Sequence, residues 1–507
     1  MTTTRTLLCA LVLMMGCASA EVKPTPEAQA PVDPMAQKAA AEGEAKQKVL
    51  AMPGAPDAEF RQTQPRPTSG GAAFNAPVPT ERKLKNGARV LVVENHALPL
   101  VAIDIAIPVG ADVVPLDKTG LDAFTAMMLK EGTTKRSSLE LAEAIDDLAL
   151  NLSSTSGSET IHVSINSLAE TLPQALDLLA EVLMQPSFKP EDTERARNVL
   201  LTGLLQKKAS PAAVANDQAI RLFYGPQHPL GQPRGGTADT IKAITVADLK
   251  KFHDTWYRPN GAVIGVSGDV TANDVQALLE ARLAAWKPKT SAKPKLPAPP
   301  TLPRQVVLVD KPGASQSQVW VMGRLFAAKD PDAVTMGVAN NVVGGLFGSR
   351  MNINLRETRS WSYGVRTNLQ LLRTDGFILT AGGIQAPYTA EALGEYYKEL
   401  EGFSTGELRE GELDRAKEAM IRSLPSQLET NGAVAASMTA LALNGLPLDY
   451  YQTLPARVAK VDAAEVARVA KKYIVVNNMP AVVVGPKESS QEKLTAMKVG
   501  DVTLPTP

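Results

Sequence analysis

Two segments of similar length repeat the same order of strands and helices, and this repetition limits the folds that the chain can adopt. The first segment spans residues 80–286 and the second spans residues 305–490, on either side of the linker KPKTSAKPKLPAPPTLPR at 287–304. Each segment opens with runs typical of strands, enters a helix, and closes with another strand. A chain of 507 residues is also too long for one ordinary core. The sequence therefore predicts an α+β fold of two homologous α/β halves that enclose a chamber.

The first 16 residues have the composition of an export signal, with an apolar run from Leu7 to Met15 that is too short to span a bilayer. The sequence MMGC, which ends at Cys17, resembles the lipobox of bacterial lipoproteins, in which the cysteine is lipidated. This resemblance implies a signal peptide at 1–16, lipidation of Cys17, and a bacterial lipoprotein anchored to a membrane facing the periplasm. The alternative is an ordinary signal peptide that is cleaved after Ala18 or Ala20.

Residues 17–79 are rich in alanine, proline, glutamine and glutamate and contain few large apolar side chains. Such a composition cannot bury enough apolar surface to offset the entropy lost on ordering. We therefore expect a disordered tether between the lipid and the folded part of the chain. Residues 491–507 are expected to form a tail.

Charge and cysteine content exclude several classes of function. The chain has 53 Lys and Arg against 53 Asp and Glu, so no net field attracts nucleic acid and no nucleic-acid partner is expected. Both cysteines, Cys9 and Cys17, lie in or next to the export signal. The folded part therefore has no disulfide, cysteine nucleophile or thiolate metal site.

Several motifs occur in an order that resembles one family of zinc peptidases. They are KLKNGARVLVVENHALPLVAIDIAIPVGADVVP, TGLDAFTAMMLKEGT, YGPQHPLGQPRGGT, FHDTWYRPNGAVIGVSGDV and RAKEAMIRSLPSQLETNGAVAASM. Together they resemble the insulinase, pitrilysin and mitochondrial processing peptidase family over nearly all of residues 80–490. The resemblance implies an inverted zinc motif, H-x-x-E-H, on the first helix, with two histidine ligands and a glutamate as general base.

The positions of that motif carry no metal ligands in this chain. The resemblance places the two histidines and the glutamate at Ala123, Met127 and Ala126, and the remaining glutamate ligand at Thr202 or Gly203. The sequence therefore predicts a degenerate metal site and no cofactor on this chain. A structural zinc held by the four histidines is an alternative, although no two of them have helical spacing.

The second half keeps a segment that the family uses to bind substrate. The sequence GGLFGSRMNINLRETRSWSYGVRTN resembles a region in which an arginine and a tyrosine, seven residues apart, reach the scissile peptide. These residues are Arg356 and Tyr363 here. A guanidinium can donate to a substrate carbonyl, and a phenol can donate to a developing oxyanion. The alternative is that Arg356 pairs with a nearby acid on a helix surface and Tyr363 is a half-buried strand aromatic.

A glycine-rich loop precedes this pair, with Gly344, Gly345 and Gly348. It lacks the Gly-Lys-Ser/Thr ending of a phosphate loop. In the resemblance the loop lies beside the substrate, where glycine allows close backbone approach, so these glycines are predicted to bind substrate. Three nearby arginines add positive charge: Arg350, Arg359 and Arg366.

The loss of the metal site and the retention of the substrate segment lead to a functional hypothesis. The resemblance implies a non-catalytic, substrate-binding subunit of a heterodimeric zinc metalloendopeptidase that is not active alone. Its partners would be a homologous subunit carrying the zinc, a peptide substrate, and a membrane reached through the lipid. One alternative is a pseudopeptidase lipoprotein that binds peptides or acts as a scaffold. Another is an independently active zinc peptidase, against which the missing ligands argue.

Overall fold

The computed structural model describes residues 74–505, which contain two six-stranded sheets with helices packed against them. The predicted signal peptide, the lipidation site at Cys17 and the predicted tether up to residue 73 lie outside the described residues. Within residues 74–505, no helix has both the length and the apolar character needed to cross a membrane.

The first half alternates strands with helices. Its strands are β1 (Thr80–Lys83), β2 (Arg89–Glu94), β3 (Leu100–Ile107), β4 (Asn151–Ser156), β5 (Ile161–Leu168) and β6 (Val263–Gly268). Its helices are α1 (Leu121–Met128), α2 (Ser138–Asp147), α3 (Leu172–Met184), α4 (Pro190–Ala209), α5 (Pro211–Tyr224), α6 (Ala238–Ala243), α7 (Val246–Trp256) and α8 (Ala272–Arg282). The sheet order is β1-β2-β6-β3-β5-β4, with β2 and β6 parallel and the other neighbours antiparallel.

The second half follows the same plan. Its strands are β7 (Gln305–Asp310), β8 (Gln316–Leu325), β9 (Ser362–Leu371), β10 (Gly376–Gln385), β11 (Ala481–Gly485) and β12 (Asp501–Thr503). Its helices are α9 (Ala333–Asn340), α10 (Arg350–Asn352), α11 (Thr389–Ser404), α12 (Glu412–Arg422), α13 (Leu424–Gln427), α14 (Asn431–Leu443), α15 (Tyr450–Ala459), α16 (Ala463–Tyr473) and α17 (Lys487–Ala496). The sheet order is β12-β7-β11-β8-β10-β9.

The two sheets have equivalent strand orders except at one edge, where β1 of the first sheet corresponds to the C-terminal strand β12 of the second. The prediction of two homologous α/β halves is therefore confirmed. Residues 287–303, between the halves, contain no helix or strand. Helix α17 and strand β12 extend the second half past residue 490, where the sequence predicted a tail.

The halves are joined by an exchange of helices. Helix α5 of the first half packs on β8 and β11 of the second sheet, and α14 of the second half packs on β3 and β6 of the first sheet. On one side, the rings of Phe223 and Phe377 lie 5.1 Å apart. On the other side, Thr439 of α14 donates a hydrogen bond of 2.6 Å to the buried carboxylate of Asp104 on β3. One face of each sheet is thus partly covered by a helix from the other half.

The turns of two hairpins also meet between the halves. Glu159, between β4 and β5, is buried. Its carboxylate accepts hydrogen bonds from the backbone N–H of Arg373 at 2.7 Å and from the hydroxyl of Thr374 at 3.1 Å, both between β9 and β10. The guanidinium of Arg373 also donates to the carbonyl of Pro108 at 3.2 Å. This charged contact fixes the two hairpins relative to each other.

Gly265 of β6 lies where α14 approaches the first sheet. A Cβ atom at this position would be 2.2 Å from the carbonyl oxygen of Ala435 and 2.9 Å from the methyl group of Thr439. Real Cβ atoms do not approach backbone so closely, so the helix can rest on the strand only because position 265 has no side chain.

We expect Gly265→Ala to lower the free energy of unfolding by about 2 kcal/mol, because the helix or the strand must shift to admit the methyl group. Urea unfolding followed by circular dichroism measures this change. Gly402→Ala on α11 is a matched control, since its added methyl would meet no atom within 4 Å. The control should be neutral or slightly stabilising. Equal midpoints for the Gly265→Ala variant and the wild type would contradict the close approach of α14.

Candidate functional site

Helix α1 occupies the position predicted for the metal motif. It begins after Gly120, whose φ of +92° favours glycine, and a Cβ there would lie 2.8 Å from the backbone of Gly235. One side of the helix packs against the core through the buried side chains of Leu121, Phe124 and Met128. The entry and orientation of α1 are therefore set by packing that involves no metal.

The predicted degenerate positions do not form a zinc site. Ala126 is buried, Ala123 is partly exposed, and Met127 is partly buried against the core. Thr202 and Gly203 are exposed on α4, and a Cβ added to Gly203 would meet no atom within 4 Å. In the part of the chain that the structure describes, no group of three or more His, Cys, Asp or Glu could hold a metal ion. The residues present do not fit zinc.

The two helices that would carry the ligands nevertheless remain side by side. Helix α1 packs against α4. Glu131, which follows α1, forms an ion pair with Arg195 of α4 at 2.5 Å. Asp122 in the first turn of α1 accepts a hydrogen bond of 2.7 Å from the hydroxyl of Ser156 on β4. The scaffold of the metal site is thus kept by contacts that need no metal.

The four histidines contact four different groups. These contacts are His96 with Asp269, His162 with Asp104, His228 with the backbone N–H of Leu230, and His253 with the carbonyl of Leu183. Burial lowers the pKa of His253 to about 4, so this imidazole is neutral at pH 7. The histidines do not converge on a shared site, which leaves the alternative of a structural zinc without support.

Arg356 lies on the wide helical turn Ile353–Thr358 that continues α10. Its Cζ atom lies 3.9 Å from the ring centroid of Phe347, which is 60% exposed in the glycine-rich loop. Its Nη1 atom is buried, lies 3.5 Å from a carboxylate oxygen of Glu357 and donates no hydrogen bond within the described residues. The ion pair with a nearby acid that the alternative reading expected is therefore present at 3.5 Å, and the arginine side chain is 33% exposed.

Tyr363 lies near the start of β9, the edge strand of the second sheet, and is 88% exposed. The pairing of β9 with β10 shifts register beside it, so that Ser362 and Val365 are both buried and Tyr363 points outward. The alternative of a half-buried strand aromatic is wrong. A tight turn, closed by a hydrogen bond of 3.1 Å from the N–H of Ser360 to the carbonyl of Arg356, joins the elements that carry Arg356 and Tyr363.

The three glycines of the loop have different environments. A Cβ on Gly344 would lie 2.3 Å from Oγ1 of Thr367, and a Cβ on Gly345 would lie 2.7 Å from the side chain of Asn340. A Cβ on Gly348 would meet no atom within 4 Å. Packing therefore requires glycine at the first two positions, whereas Gly348 lies beside open space next to Phe347. Sequence reasoning did not select Phe347, although it is an aromatic residue inside a glycine-rich turn.

The models of one peptidase family match both halves. The family described as Insulinase (Peptidase family M16) matches residues 89–234, and the one described as Peptidase M16 inactive domain matches residues 243–420. The chain belongs to the M16 family. Because the metal ligands are missing from it, the M16 fold is present here without the residues that catalysis requires.

The descriptions of two similar proteins agree with a non-catalytic M16 homologue. The non-peptidase homolog YmxG of Helicobacter pylori is 25% identical over 414 residues, which cover 80% of this chain and 94% of YmxG. The structure of a peptidase M16 inactive domain from Pseudomonas fluorescens aligns with a TM-score of 0.75 and 25% identity over 80% of this chain and 98% of that one. The periplasmic protease PqqL of Escherichia coli aligns with a TM-score of 0.69 over 83% of this chain and 49% of PqqL. At 15% identity, this similarity shows the fold alone.

Two of the three arginines near the glycine-rich loop of this M16 chain are engaged in ion pairs. Arg350 is buried and donates to Glu412 at 2.8 Å, and Arg359 donates to Glu395 at 2.7 Å. Arg366 is exposed on β9. Of these three arginines, only Arg366 therefore adds the exposed positive charge that the sequence predicted near the loop.

The pair of Arg350 and Glu412 anchors the segment that leads to Arg356. Burial disfavours the charged form of Glu412, but hydrogen bonds from the guanidinium of Arg350 and the backbone N–H of Arg409 outweigh it. The pKa of this carboxyl therefore lies below its ordinary value. A group with a lowered pKa stabilises the folded state above its unfolded pKa, and this stabilisation is lost as the pH falls through the folded pKa.

We expect Glu412→Gln to lower the free energy of unfolding by about 3 kcal/mol at pH 7, because Arg350 stays buried without its counter-charge. The difference from the wild type should be constant at neutral pH and shrink in acid, below the ordinary pKa near 4.5. Denaturant unfolding over a pH series measures it. Glu418→Gln is the control, since its 65% exposed carboxylate pairs only loosely with Arg422. A difference that does not change with pH would contradict this account.

Proposed function

We propose that this M16 protein is the non-catalytic, substrate-binding subunit of a heterodimeric zinc endopeptidase that acts on peptides. One asymmetry carries the proposal. The positions of the metal motif hold Ala123, Ala126 and Met127, whereas the side chains of Arg356 and Tyr363, which can donate hydrogen bonds, are 33% and 88% exposed. A subunit that completes a partner's site needs such donors and needs no metal of its own.

The chemistry of the two side chains fits this role. Phe347 covers one face of the Arg356 guanidinium, and the arginine side chain as a whole remains 33% exposed. The exposed part of this side chain would donate to a carbonyl oxygen of a bound peptide. The exposed hydroxyl of Tyr363 would donate to the oxygen that becomes negative during peptide hydrolysis. The partner's zinc would activate the attacking water.

A homologous partner is supported by the size of the fold unit. The part of this chain that aligns with the periplasmic protease PqqL covers 49% of the length of PqqL. A protease of this fold can therefore comprise about twice the aligned length. We propose that a separate, zinc-bearing homologue supplies the second part and that the two subunits close a chamber around the peptide.

The alternative of a pseudopeptidase lipoprotein is favoured by one observation. The relative from Helicobacter pylori is described as a non-peptidase homolog, and it matches this chain over 94% of its own length. In that case the protein would bind peptides or serve as a scaffold without an active partner. In either case we propose export and lipidation at Cys17, on the basis of the sequence MMGC.

Isolation of the native protein in mild detergent separates the two functions. Mass spectrometry and zinc analysis of the purified material should find a homologue with H-x-x-E-H in equal amount and about one zinc per pair. Protein that is recovered alone and free of zinc would favour the pseudopeptidase. Zinc held tightly by this chain alone would contradict both.

We expect Arg356→Ala and Tyr363→Phe each to lower the peptide hydrolysis rate of the complex about 100-fold, as for the loss of one oxyanion donor. The matched control is Tyr388→Phe, because this ring is stacked on Trp361 and the substitution keeps the stack. Steady-state kinetics with the partner in excess provides the measurement. Wild-type rates in both site variants would rule out the assigned roles.

Removal of Phe347 should have a smaller effect of the same kind. Phe347→Ala takes away the ring that holds the guanidinium of Arg356, so we expect hydrolysis to fall by about fivefold, as for a partly exposed cation–π contact. Phe347→Trp should restore the rate, because it keeps an aromatic face. Equal losses in the alanine and tryptophan variants would contradict a role in positioning Arg356.

A further inference from the structure

A cavity of about 260 Å³ lies where the linker between the halves passes over the first half. Its wall is formed by residues of three segments: 107–109 at the end of β3, 255–260 at the end of α7, and 289–293 of the linker. We call it the linker cavity. A cavity of this size has room for a small molecule or for one polar group of a larger one.

The linker is held in place at this cavity, although it contains no helix or strand there. The backbone N–H of Lys289 donates a hydrogen bond of 2.8 Å to the side-chain oxygen of Asn260. The hydroxyl of Ser291 donates to the carbonyl of Thr255 at 3.3 Å. The wall that the linker supplies is therefore fixed to the first half by hydrogen bonds, and the cavity is preformed.

Two cations converge on one side of the linker cavity. The Nε atom of Arg258 donates to the backbone carbonyl of Asp254 at 2.8 Å, and the ammonium of Lys289 lies 3.3 Å from the same oxygen. The carboxylate of Asp254 is 71% exposed and 3.5 Å from the guanidinium, so water screens much of this ion pair. Two positive charges thus share one carbonyl oxygen and one loosely held carboxylate.

The other charged groups at this place balance one another. Lys293, the third cation of the cavity wall, pairs with the buried carboxylate of Asp112 at 2.9 Å. Arg373 of the second half lies 4.0 Å from Asp112 and pairs with Glu159 at 3.5 Å. Among the residues that line the cavity, none is Asp or Glu. The excess positive charge therefore remains at the first two cations.

Three further donors in the cavity wall have no hydrogen-bond partner within residues 74–505. They are the indole N–H of Trp256, the hydroxyl of Thr290 and the side-chain N–H groups of Asn260. Thr290 and Asn260 are exposed, and Trp256 is partly buried and adds an apolar wall. A cavity that offers positive charge and hydrogen-bond donors without carboxylates is suited to a group that only accepts.

We propose that the linker cavity binds a small molecule or a lipid headgroup through an anionic oxygen group, a phosphate or a carboxylate. Arg258 and Lys289 would be its charge partners, because an oxyanion between them offsets their mutual repulsion and accepts charge-assisted hydrogen bonds from both. Since one cation belongs to the first half and the other to the linker, the bound anion would also bridge them. The inference goes beyond the proposed function and does not depend on it, because it involves neither Arg356 nor Tyr363.

Isothermal titration calorimetry of the full chain with inorganic phosphate, at constant ionic strength, tests this proposal. We expect a dissociation constant of about 1 mM or lower. The double variant Arg258→Gln and Lys289→Gln should weaken binding by at least about tenfold, because both charge-assisted contacts are lost. The matched control, Lys460→Gln with Lys471→Gln, removes the same charge from exposed positions of the second half and should bind like the wild type.

Thr290→Glu covers the case in which the double variant does not fold. It places a carboxylate beside the two cations at an exposed linker position, so phosphate binding should again fall by about tenfold.

Sedimentation with vesicles distinguishes a lipid headgroup from a free solute. For a headgroup, more wild-type protein should bind to phosphatidylglycerol vesicles than to phosphatidylcholine vesicles, and Thr290→Glu should remove the excess. For a free solute, phosphate binds and the two vesicles bind equally. Absence of both phosphate binding and a phosphatidylglycerol excess would overturn the inference, as would equal phosphate affinity in the wild type, the double variant and Thr290→Glu.

Discussion

The exchange of α5 and α14 is the interaction on which the rest of the structure depends. Each sheet has its own helices on one face, and its other face would present apolar residues to water without the helix from the opposite half. In the first sheet these residues are Leu91, Val93 and Val263, which pack with Met438 and Leu441 of the second half. Neither half can therefore bury its sheet alone, and the chain folds as one unit from Phe74 onward.

This dependence also explains which polar residues of the sheets stay exposed. An exchanged helix covers only part of a sheet, so the outer strands of the same face stay open. In the first sheet the outer strands β4 and β5 carry polar residues such as Ser153 and Ser164 on this face. In the second sheet the edge strand β9 carries Tyr363 and Arg366. The helix exchange that closes the core thus leaves polar residues exposed on the outer strands of each sheet. The types of these residues differ between the two halves.

Sequence reasoning predicted the architecture and missed the contacts that determine it. Alternation of buried and polar residues, as in β5, identifies strands because it is a local property. The hydrogen bond between Thr439 and Asp104 joins positions 335 residues apart, and no local pattern encodes it. The exposure of Tyr363 depends on a register shift between β9 and β10. The stacking of Phe347 on Arg356 depends on the path of a loop. The sequence therefore shows an aromatic residue at position 347 but does not show which side chain it contacts.

The Ala and Met face of α1 changes how this protein depends on its surroundings. In a zinc peptidase the same helix presents two imidazoles and a carboxylate, polar groups that are satisfied only when the metal is bound. Here α1 and α4 are joined by apolar packing and by the ion pair of Glu131 with Arg195. The folded state of this chain is therefore decoupled from zinc supply, and it would persist in a metal-starved compartment where a zinc-bearing relative loses part of its stability.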